Sequence, residues 1–352
     1  MYLNSINYFR GISIVFIVAG HCYGLAQWNI DTPLQKTLMN LITGGTIFFV
    51  FISGFLFHHI FYRKFDFRRF MTQKVKNVLS PYLLFFLIAV SCYTFGTYEW
   101  PWKYHFFIDK PGWYYGYARP FLLYLWTGRI VTAYWYIPFI MIVFSMSPVF
   151  ILFINARPVV QYAVFLFTLS VSLIIHRPID NLHVIHSVVA FIPVYLFGIL
   201  SSIHKETIYA RLRGKELAML ALVILLAIVQ AVFFNIQGNF HKSPFTITTV
   251  DIMLVQKMVM ALFFMVFLNR FENRRFPILE KLAAASFSIY FIHPLVVDLL
   301  PQYMMRINPF FPLMPGGFLV AMHTGILVVL CYSIAKGIKR LFPSKSRMII
   351  GW

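Results

Sequence analysis

Two ionisable side chains lie in the first apolar run of the chain, which reads INYFRGISIVFIVAGHCYGLA over residues 6–26. On an α-helix, Arg10 and His21 would lie about 16 Å apart along the axis and within about 20° of the same face. Ionisable groups inside a membrane span are costly and usually face the bundle interior, which favours a functional site. His21 can exchange a proton near neutral pH, so it is the leading candidate for acid–base chemistry. A structural hydrogen-bonding role is the alternative.

Other polar residues inside apolar runs recur at helical spacing. Ser286, Tyr290 and His293 stand at i, i+4 and i+7 in SFSIYFIHPL, so a helix places them on one face. We expect them either to line the cavity of the first run or to join two helices by hydrogen bonds. In the second run, the small pair Ser53 and Gly54 favours close helix packing or a local kink.

The composition places these residues in a membrane. The 352 residues are 60% apolar, 19% aromatic and only 12% charged, whereas a soluble domain has about 25% charged residues. Several uninterrupted runs approach the ~20 residues that cross a bilayer. We therefore predict an all-α polytopic helix bundle, a single domain over residues 1–352 without an appended soluble domain. The predicted spans are 6–26, 38–61, 79–96, 131–154, 159–175, 186–203, 217–235, 250–268, 284–300 and 317–335.

The positive charges alternate between loops. Ten spans put both termini on one side, and the loops of that side hold 21 of the 30 lysines and arginines. The positive-inside rule then predicts cytoplasmic termini. The net charge of +19 follows this alternation and forms no DNA-binding motif. We therefore expect contact with phosphates or anionic headgroups of the lipid bilayer, and no nucleic acid partner.

Two loops are unusual in composition. Segment 97–130 is rich in Trp and Tyr, which predicts an interfacial segment with a short helix near the surface. A stacking platform for carbohydrate is the alternative. Segment 62–78 is the most basic loop. It is either a topology anchor or a phosphate-binding wall.

Several classes of site are excluded. The sequence has no CxxC, no HExxH and no carboxylate cluster, so we expect no metal. GxSxG and a phosphate-binding glycine loop are also absent. The cysteines Cys22, Cys92 and Cys331 are odd in number and lie in apolar runs, so no disulfide framework is expected.

Four motifs, in order along nearly the whole chain, resemble the acyltransferase 3 family of membrane acyltransferases. The first is the family's Arg, ten residues and His, present as Arg10 and His21 in FRGISIVFIVAGH. The second is the FFxxSG motif, present in FFVFISGFL at 48–56. An aromatic motif, YWYIPFI at 134–140, and a late motif, SFSIYFIHP at 286–294, complete the series.

One motif departs from the family. Many relatives carry an Arg-x-x-Arg pair in the basic loop, and the corresponding positions of FMTQKVKNVLSPY are Lys74 and Asn77. Lysine lacks the bidentate fork of arginine, and asparagine carries no charge. The resemblance implies that this loop holds the phosphates of acyl-CoA, and the cations available for this are Arg68, Arg69, Lys74 and Lys76.

The resemblance implies a membrane O-acyltransferase without a metal, in the bacterial inner membrane. It would move an acyl group, commonly acetyl, from cytoplasmic acyl-CoA to a hydroxyl of an exported polysaccharide or its lipid-linked precursor. In our hypothesis Arg10 orients the donor and His21 is the general base. The candidates for contacts to the oxyanion or acceptor are Ser286, Tyr290, His293 and Ser53. A transporter or flippase of a lipid-linked saccharide, or a scaffold subunit, are the alternatives.

Overall fold

The computed structural model describes residues 3–96, 98–243, 246, 248–311 and 314–352. Helices dominate it. In the first half they are α1 (Asn4–Cys22), α2 (Pro33–Ile42), α3 (Thr46–Leu56), α4 (Phe67–Lys74), α5 (Ser80–Phe95), α6 (Lys103–Phe106), α7 (Arg119–Thr127), α8 (Tyr136–Ser145), α9 (Ser147–Asn155) and α10 (Pro158–Ile175). The later helices are α11 (Val184–Ile203), α12 (Lys205–Leu212), α13 (Glu216–Val232), α14 (Ile252–Asn269), α15 (Pro277–Leu299), α16 (Pro301–Met305), α17 (Gly316–Leu341) and α18 (Ser346–Ile350).

Short irregular elements complete the fold. The π-helical turns are Phe57–Phe61, Val75–Leu79 and Tyr114–Ala118. The 3₁₀ turns are Tyr62–Lys64, Ile179–Asn181 and Asn308–Phe310. Strands β1 (Arg177–Pro178) and β2 (His241–Lys242) pair in parallel, with Arg177 opposite His241.

The prediction of an all-α membrane bundle is confirmed. Seven stretches of the described chain are long and apolar enough to cross a membrane, or nine if each of two bent helix pairs is one span. The bent pairs are α8 with α9, at 53°, and α12 with α13, at 92°. Every predicted span after the first overlaps one of these stretches or bent pairs. The first predicted span, 6–26, overlaps α1 instead. The count of ten and the cytoplasmic side of the termini stay predictions.

Helix α1 lies at the centre of the bundle, where it packs against α3, α14, α15 and α17. Its first N–H groups have no intrahelical partner, and they donate instead to the Glu272 carboxylate, from Asn4 N at 2.7 Å and Ser5 N at 2.9 Å. A carboxylate at this end also complements the helix dipole. At Gly11 a Cβ would lie 2.8 Å from the Leu279 carbonyl oxygen. The missing side chain therefore lets α1 and α15 approach closely.

A second close approach joins α3 to α11. A Cβ on Gly54 would lie 2.0 Å from the Tyr195 carbonyl oxygen, and one on Gly198 would lie 2.1 Å from the Phe51 carbonyl oxygen. No real Cβ fits at these distances, so the two helices cross through their glycines. The packing role expected for the pair at 53–54 thus belongs to Gly54.

The aromatic segment 97–130 contains α6, a π-helical turn and α7 within its described residues. Tyr104, Trp113 and Tyr117 are each at least 70% exposed. Exposed aromatic rings of this kind are typical of a headgroup boundary. A short helix was predicted for this segment and two are present, α6 and α7. Their position at a membrane interface stays a prediction.

Candidate functional site

Two cavities lie at different levels along α1. The first, here the Arg10 cavity, encloses about 810 Å³. Its polar and charged lining residues are Arg10, Ser53, Gln73, Lys74, Asn77, Tyr195, Ser286, Lys339, Ser344, Ser346 and Arg347. The second, here the His21 cavity, encloses about 390 Å³. Its polar and charged lining residues are His21, Tyr23, Thr43, Thr46, Arg129, Thr132, Asp180, Asn181, Arg177, Gln237, Asn239 and His241.

The Arg10 cavity is positively charged. Four cationic side chains line it, from α1, α4, α17 and α18, and they are Arg10, Lys74, Lys339 and Arg347. No aspartate or glutamate is among its described lining residues. Such a cavity is suited to a ligand with several phosphate charges, because cationic side chains attract anions and form charge-assisted hydrogen bonds with them.

Arg10 is anchored to the backbone of α15. Its Nε and Nη2 donate to the Ala283 carbonyl oxygen at 3.1 and 2.7 Å. The hydroxyl of Ser286 donates to the same oxygen at 2.9 Å. This shared acceptor brings Ser286 beside Arg10, whereas Ser53 reaches the same cavity from α3.

Lys74 is held in an aromatic cage. Its Nζ lies 5.1 Å from the ring centroid of Phe61, 4.9 Å from that of Phe70 and 4.3 Å from that of Phe144. Cation–π contacts of this kind fix an ammonium group without an acidic partner. Asn77 lies in the π-helical turn that follows and lines the same cavity. Both positions that replace the family's arginine pair therefore face the Arg10 cavity.

The other cations predicted for this loop lie elsewhere. Arg69 lines a neighbouring cavity of about 190 Å³, which shares Gln73 with the Arg10 cavity. Arg68 and Lys76 are exposed and are not among the lining residues of the Arg10 cavity. The structure does not bring these two side chains to the site.

Two cations of the site were missed from sequence. Lys339 and Arg347 belong to the basic segment 336–347, whose charges contribute to the 21 cations that predict the side of the termini. Lys339 Nζ lies 4.3 Å from the ring centroid of Trp352, another lining residue. The high density of positive charge in that segment is the sequence signal that could have identified these two residues.

His21 lies beside a second histidine. The ring centroids of His21 on α1 and His293 on α15 are 5.5 Å apart. His293 Nδ1 lies 2.9 Å from the Ile289 carbonyl oxygen, so this nitrogen carries the hydrogen in the neutral ring. Its Nε2 is buried without a hydrogen-bond partner. That nitrogen is thus a free hydrogen-bond acceptor close to His21.

Tyr290 is part of a reciprocal clasp between α15 and the segment before α8. Its hydroxyl donates to the Ala133 carbonyl oxygen, and the Tyr134 hydroxyl donates to the Phe291 carbonyl oxygen at 2.6 Å. The hydroxyl of Tyr290 is therefore engaged with backbone. The aromatic motif and the late motif are joined by these two bonds.

The late motif connects the levels of the two cavities. Ser286 lies with Arg10 at one level of α1, and His293 lies with His21 at the other. Helices α1 and α15 consequently run in the same direction. Ser286, Tyr290 and His293, which the sequence predicts on one helical face, therefore lie along α1 from the level of the Arg10 cavity to the level of the His21 cavity.

The two cavities come close to each other beside the break between α2 and α3. Gly44 has φ +86° there, and the buried Lys257 Nζ donates to the Leu41 carbonyl oxygen at 2.8 Å at the end of α2. On α3, Thr46 lines the His21 cavity and Phe49 lines the Arg10 cavity. Thr46 and Phe49 are three positions apart on the helix, which is about 4.5 Å along its axis.

In the described chain, no three histidine, cysteine or carboxylate side chains form a set that could hold a metal ion. The fold and the site are those of a multi-pass membrane protein with buried polar cavities in its bundle. The chain belongs to the acyltransferase 3 family, since the family's acyltransferase-domain model matches residues 3–334. It is therefore a membrane acyltransferase. Comparisons with curated proteins and with solved structures gave no significant match.

Proposed function

We propose that this acyltransferase moves an acyl group, typically acetyl, from acyl-CoA to a hydroxyl of a saccharide. The saccharide is an exported or surface polysaccharide or its lipid-linked precursor. The observation that carries the proposal is that Arg10 and His21 face separate cavities, one rich in cations and the other lined by polar groups. A donor and an acceptor can thus approach α1 from different sides.

The Arg10 cavity is the proposed donor site. Its volume of about 810 Å³ lies within the usual range of small-molecule sites, about 300–1,000 Å³. Lys74, Lys339 and Arg347 would bind the CoA phosphates, with Arg69 at the edge of the site. Arg10 and Ser286 are deeper and would orient the arm that carries the thioester.

The His21 cavity is the proposed acceptor site. His21 would accept the proton of the attacking hydroxyl, because an alcohol is a poor nucleophile until its proton is removed. The new ester bond forms as the carbon–sulfur bond of the thioester breaks, and the CoA thiolate leaves and takes up a proton. His293 would orient the ring of His21, and Tyr290 would position His293 through the clasp. Ser53 would contact the thioester from α3.

The distribution of positive charge supports a proposed orientation in the membrane. The loops near the Arg10 cavity are the basic ones, so the positive-inside rule supports a cytoplasmic position for this cavity, where acyl-CoA is available. The His21 cavity then faces the outer side of a bacterial inner membrane. Exported glycans pass on that side.

The test uses purified protein, radiolabelled acetyl-CoA and a panel of saccharide acceptors. Label bound by the protein and transferred to a saccharide hydroxyl supports the proposal. Movement of a lipid-linked saccharide across vesicles without acyl-CoA binding would favour the transporter alternative instead. Transfer to amines or to water alone would contradict the assignment of a saccharide acceptor.

A further inference from the structure

The His21 cavity contains two arginines that form no ion pair with the described residues. Arg129 is 9% exposed and Arg177 is 5% exposed. In the described part of the chain, neither guanidinium has a carboxylate oxygen within 4.0 Å. Arg129 Nε and Arg177 Nη2 are buried without a hydrogen-bond partner. A buried donor without a partner is costly, and a bound ligand is one way in which it becomes satisfied.

The remaining contacts of these arginines fix their positions. Arg129 Nη1 donates to the Thr132 carbonyl oxygen at 3.0 Å, and its guanidinium carbon lies 4.8 Å from the ring centroid of Trp102. The Arg177 guanidinium carbon lies 4.8 Å from the ring centroid of Phe191. An aromatic ring beneath a guanidinium group restricts its position by a cation–π contact.

Both arginines stay charged at neutral pH. Asp298 and Asp180 act electrostatically on Arg129, and Asp251 acts on Arg177, but none of these carboxylates forms an ion pair with either guanidinium within the described residues. Burial lowers the pKa of Arg129 and of Arg177 to about 10. Burial, followed by the charge of Arg177, lowers the pKa of His241 to about 4, so this ring is neutral at pH 7. Asp180 is the one carboxylate among the described lining residues of the cavity. The lining therefore keeps a net positive charge.

Two further features suit an anionic saccharide. The N-terminus of the 11-residue helix α3 borders the cavity at Gly45 and Thr46, and a helix N-terminus favours negative charge. Asn181 Oδ1 and Asn239 Oδ1 also belong to lining residues and are buried without a partner. These oxygens can accept hydrogen bonds from sugar hydroxyls.

We infer that the acceptor saccharide carries an anionic group, a carboxylate or a phosphate, that binds Arg129 and Arg177 close to the hydroxyl acylated at His21. This inference rests on the proposed function, which identifies the His21 cavity as the acceptor site. A neutral sugar would leave two buried guanidinium groups without a negative charge in direct contact, which is unfavourable. An anionic sugar supplies that charge.

The test measures saccharide binding to the purified protein by calorimetry, without acyl-CoA. One matched pair is a hyaluronan tetrasaccharide and its carboxyl-reduced form, and the other is maltose 1-phosphate and maltose. We expect the anionic member of at least one pair to bind ten times or more tightly than its neutral counterpart. The pair that shows this difference in affinity indicates whether the site prefers a carboxylate or a phosphate. Anionic members that bind no more tightly than the neutral ones in both pairs overturn the inference.

Variants assign the effect to the two arginines. Arg177→Gln and Arg129→Gln should each abolish the preference for the anionic member, and Arg177→Lys should restore only part of it because lysine lacks the fork. The exposed Arg306 provides a matched loss of charge, and Arg306→Gln should keep the preference. Retained acyl-CoA binding shows that each variant is folded. A preference that survives both glutamine variants overturns the inference.

The outcomes separate this inference from the proposed function. Acyl transfer to saccharides with equal affinity for charged and neutral acceptors would leave the proposed function standing and remove the anionic acceptor. Tight binding of the anionic saccharide without any acyl transfer would support the anionic ligand and contradict the proposed function. The binding measurement requires no catalysis.

Discussion

The Arg10 and His21 cavities both contain cations but hold them differently. In the Arg10 cavity, Arg347 is exposed and Lys339 is half-buried, and both come from the end of the chain. In the His21 cavity, Arg129 and Arg177 are buried and stacked on aromatic rings. The first arrangement suits attraction of a large polyanion that must leave after each turnover. The second suits selection of one acceptor geometry.

The two cavities lie at different levels of α1, so the length of this helix separates their reactive residues. Arg10 and His21 lie about 16 Å apart along α1, and along α3 the linings of the two cavities come within about one turn of each other. Changes in one cavity should therefore affect one substrate and leave the binding of the other intact. The predictions that follow use this independence.

The largest effect is expected for His21→Ala. Loss of the proposed general base should lower kcat for acyl transfer by about 10²- to 10⁴-fold, while the affinity for acyl-CoA at the proposed donor site should change little. Binding and transfer of labelled acetyl-CoA measure the two quantities. The exposed His105 serves as control through His105→Ala, which should be fully active. Full activity of His21→Ala would remove this residue from the mechanism.

A smaller effect is expected when the tyrosine clasp is opened. Tyr290→Phe leaves the Ala133 carbonyl oxygen without its donor, and Tyr134→Phe does the same to Phe291. Each buried unpaired group should lower the free energy of unfolding by about 1–3 kcal/mol, and both variants should lower kcat to a similar extent. Thermal unfolding and acyl transfer measure these effects.

The clasp variants also tell positioning from catalysis. A direct role of Tyr290 in stabilising an oxyanion would lower kcat for Tyr290→Phe by a large factor with no change in stability, and Tyr134→Phe would be normal. That result would contradict the positioning role assigned to this hydroxyl.

The smallest effect is expected for Arg347→Gln in the Arg10 cavity. Removal of one exposed charge should weaken acyl-CoA binding about fivefold, equal to about 1 kcal/mol, as is typical of solvent-exposed charge contacts. The KM for the acceptor should not change. Arg340 is exposed and does not line the cavity, so Arg340→Gln is the matched control. Equal effects of both variants would argue against a specific phosphate contact at Arg347.

The sequence was sufficient to predict whatever depends on the geometry of one helix. The spacing of Arg10 and His21 predicted a shared helical face, and the spacing of Ser286 and His293 predicted another. Both predictions follow from the fixed rotation and rise of an α-helix. The apolar runs predicted the membrane bundle, because only closed hydrogen bonding satisfies the backbone in lipid.

Tertiary structure decided which of these faces meet and what else joins them. Arg129, Arg177 and His241 come from segments that are far apart in sequence, and the pairing of β1 with β2 brings two of them together. No periodicity within one helix encodes such a meeting, since it depends on how the bundle packs and where its loops return. The same holds for Lys339 and Arg347 beside Arg10. The sequence thus set the chemistry along α1, and packing of the other helices and loops around α1 set the charge that surrounds each end.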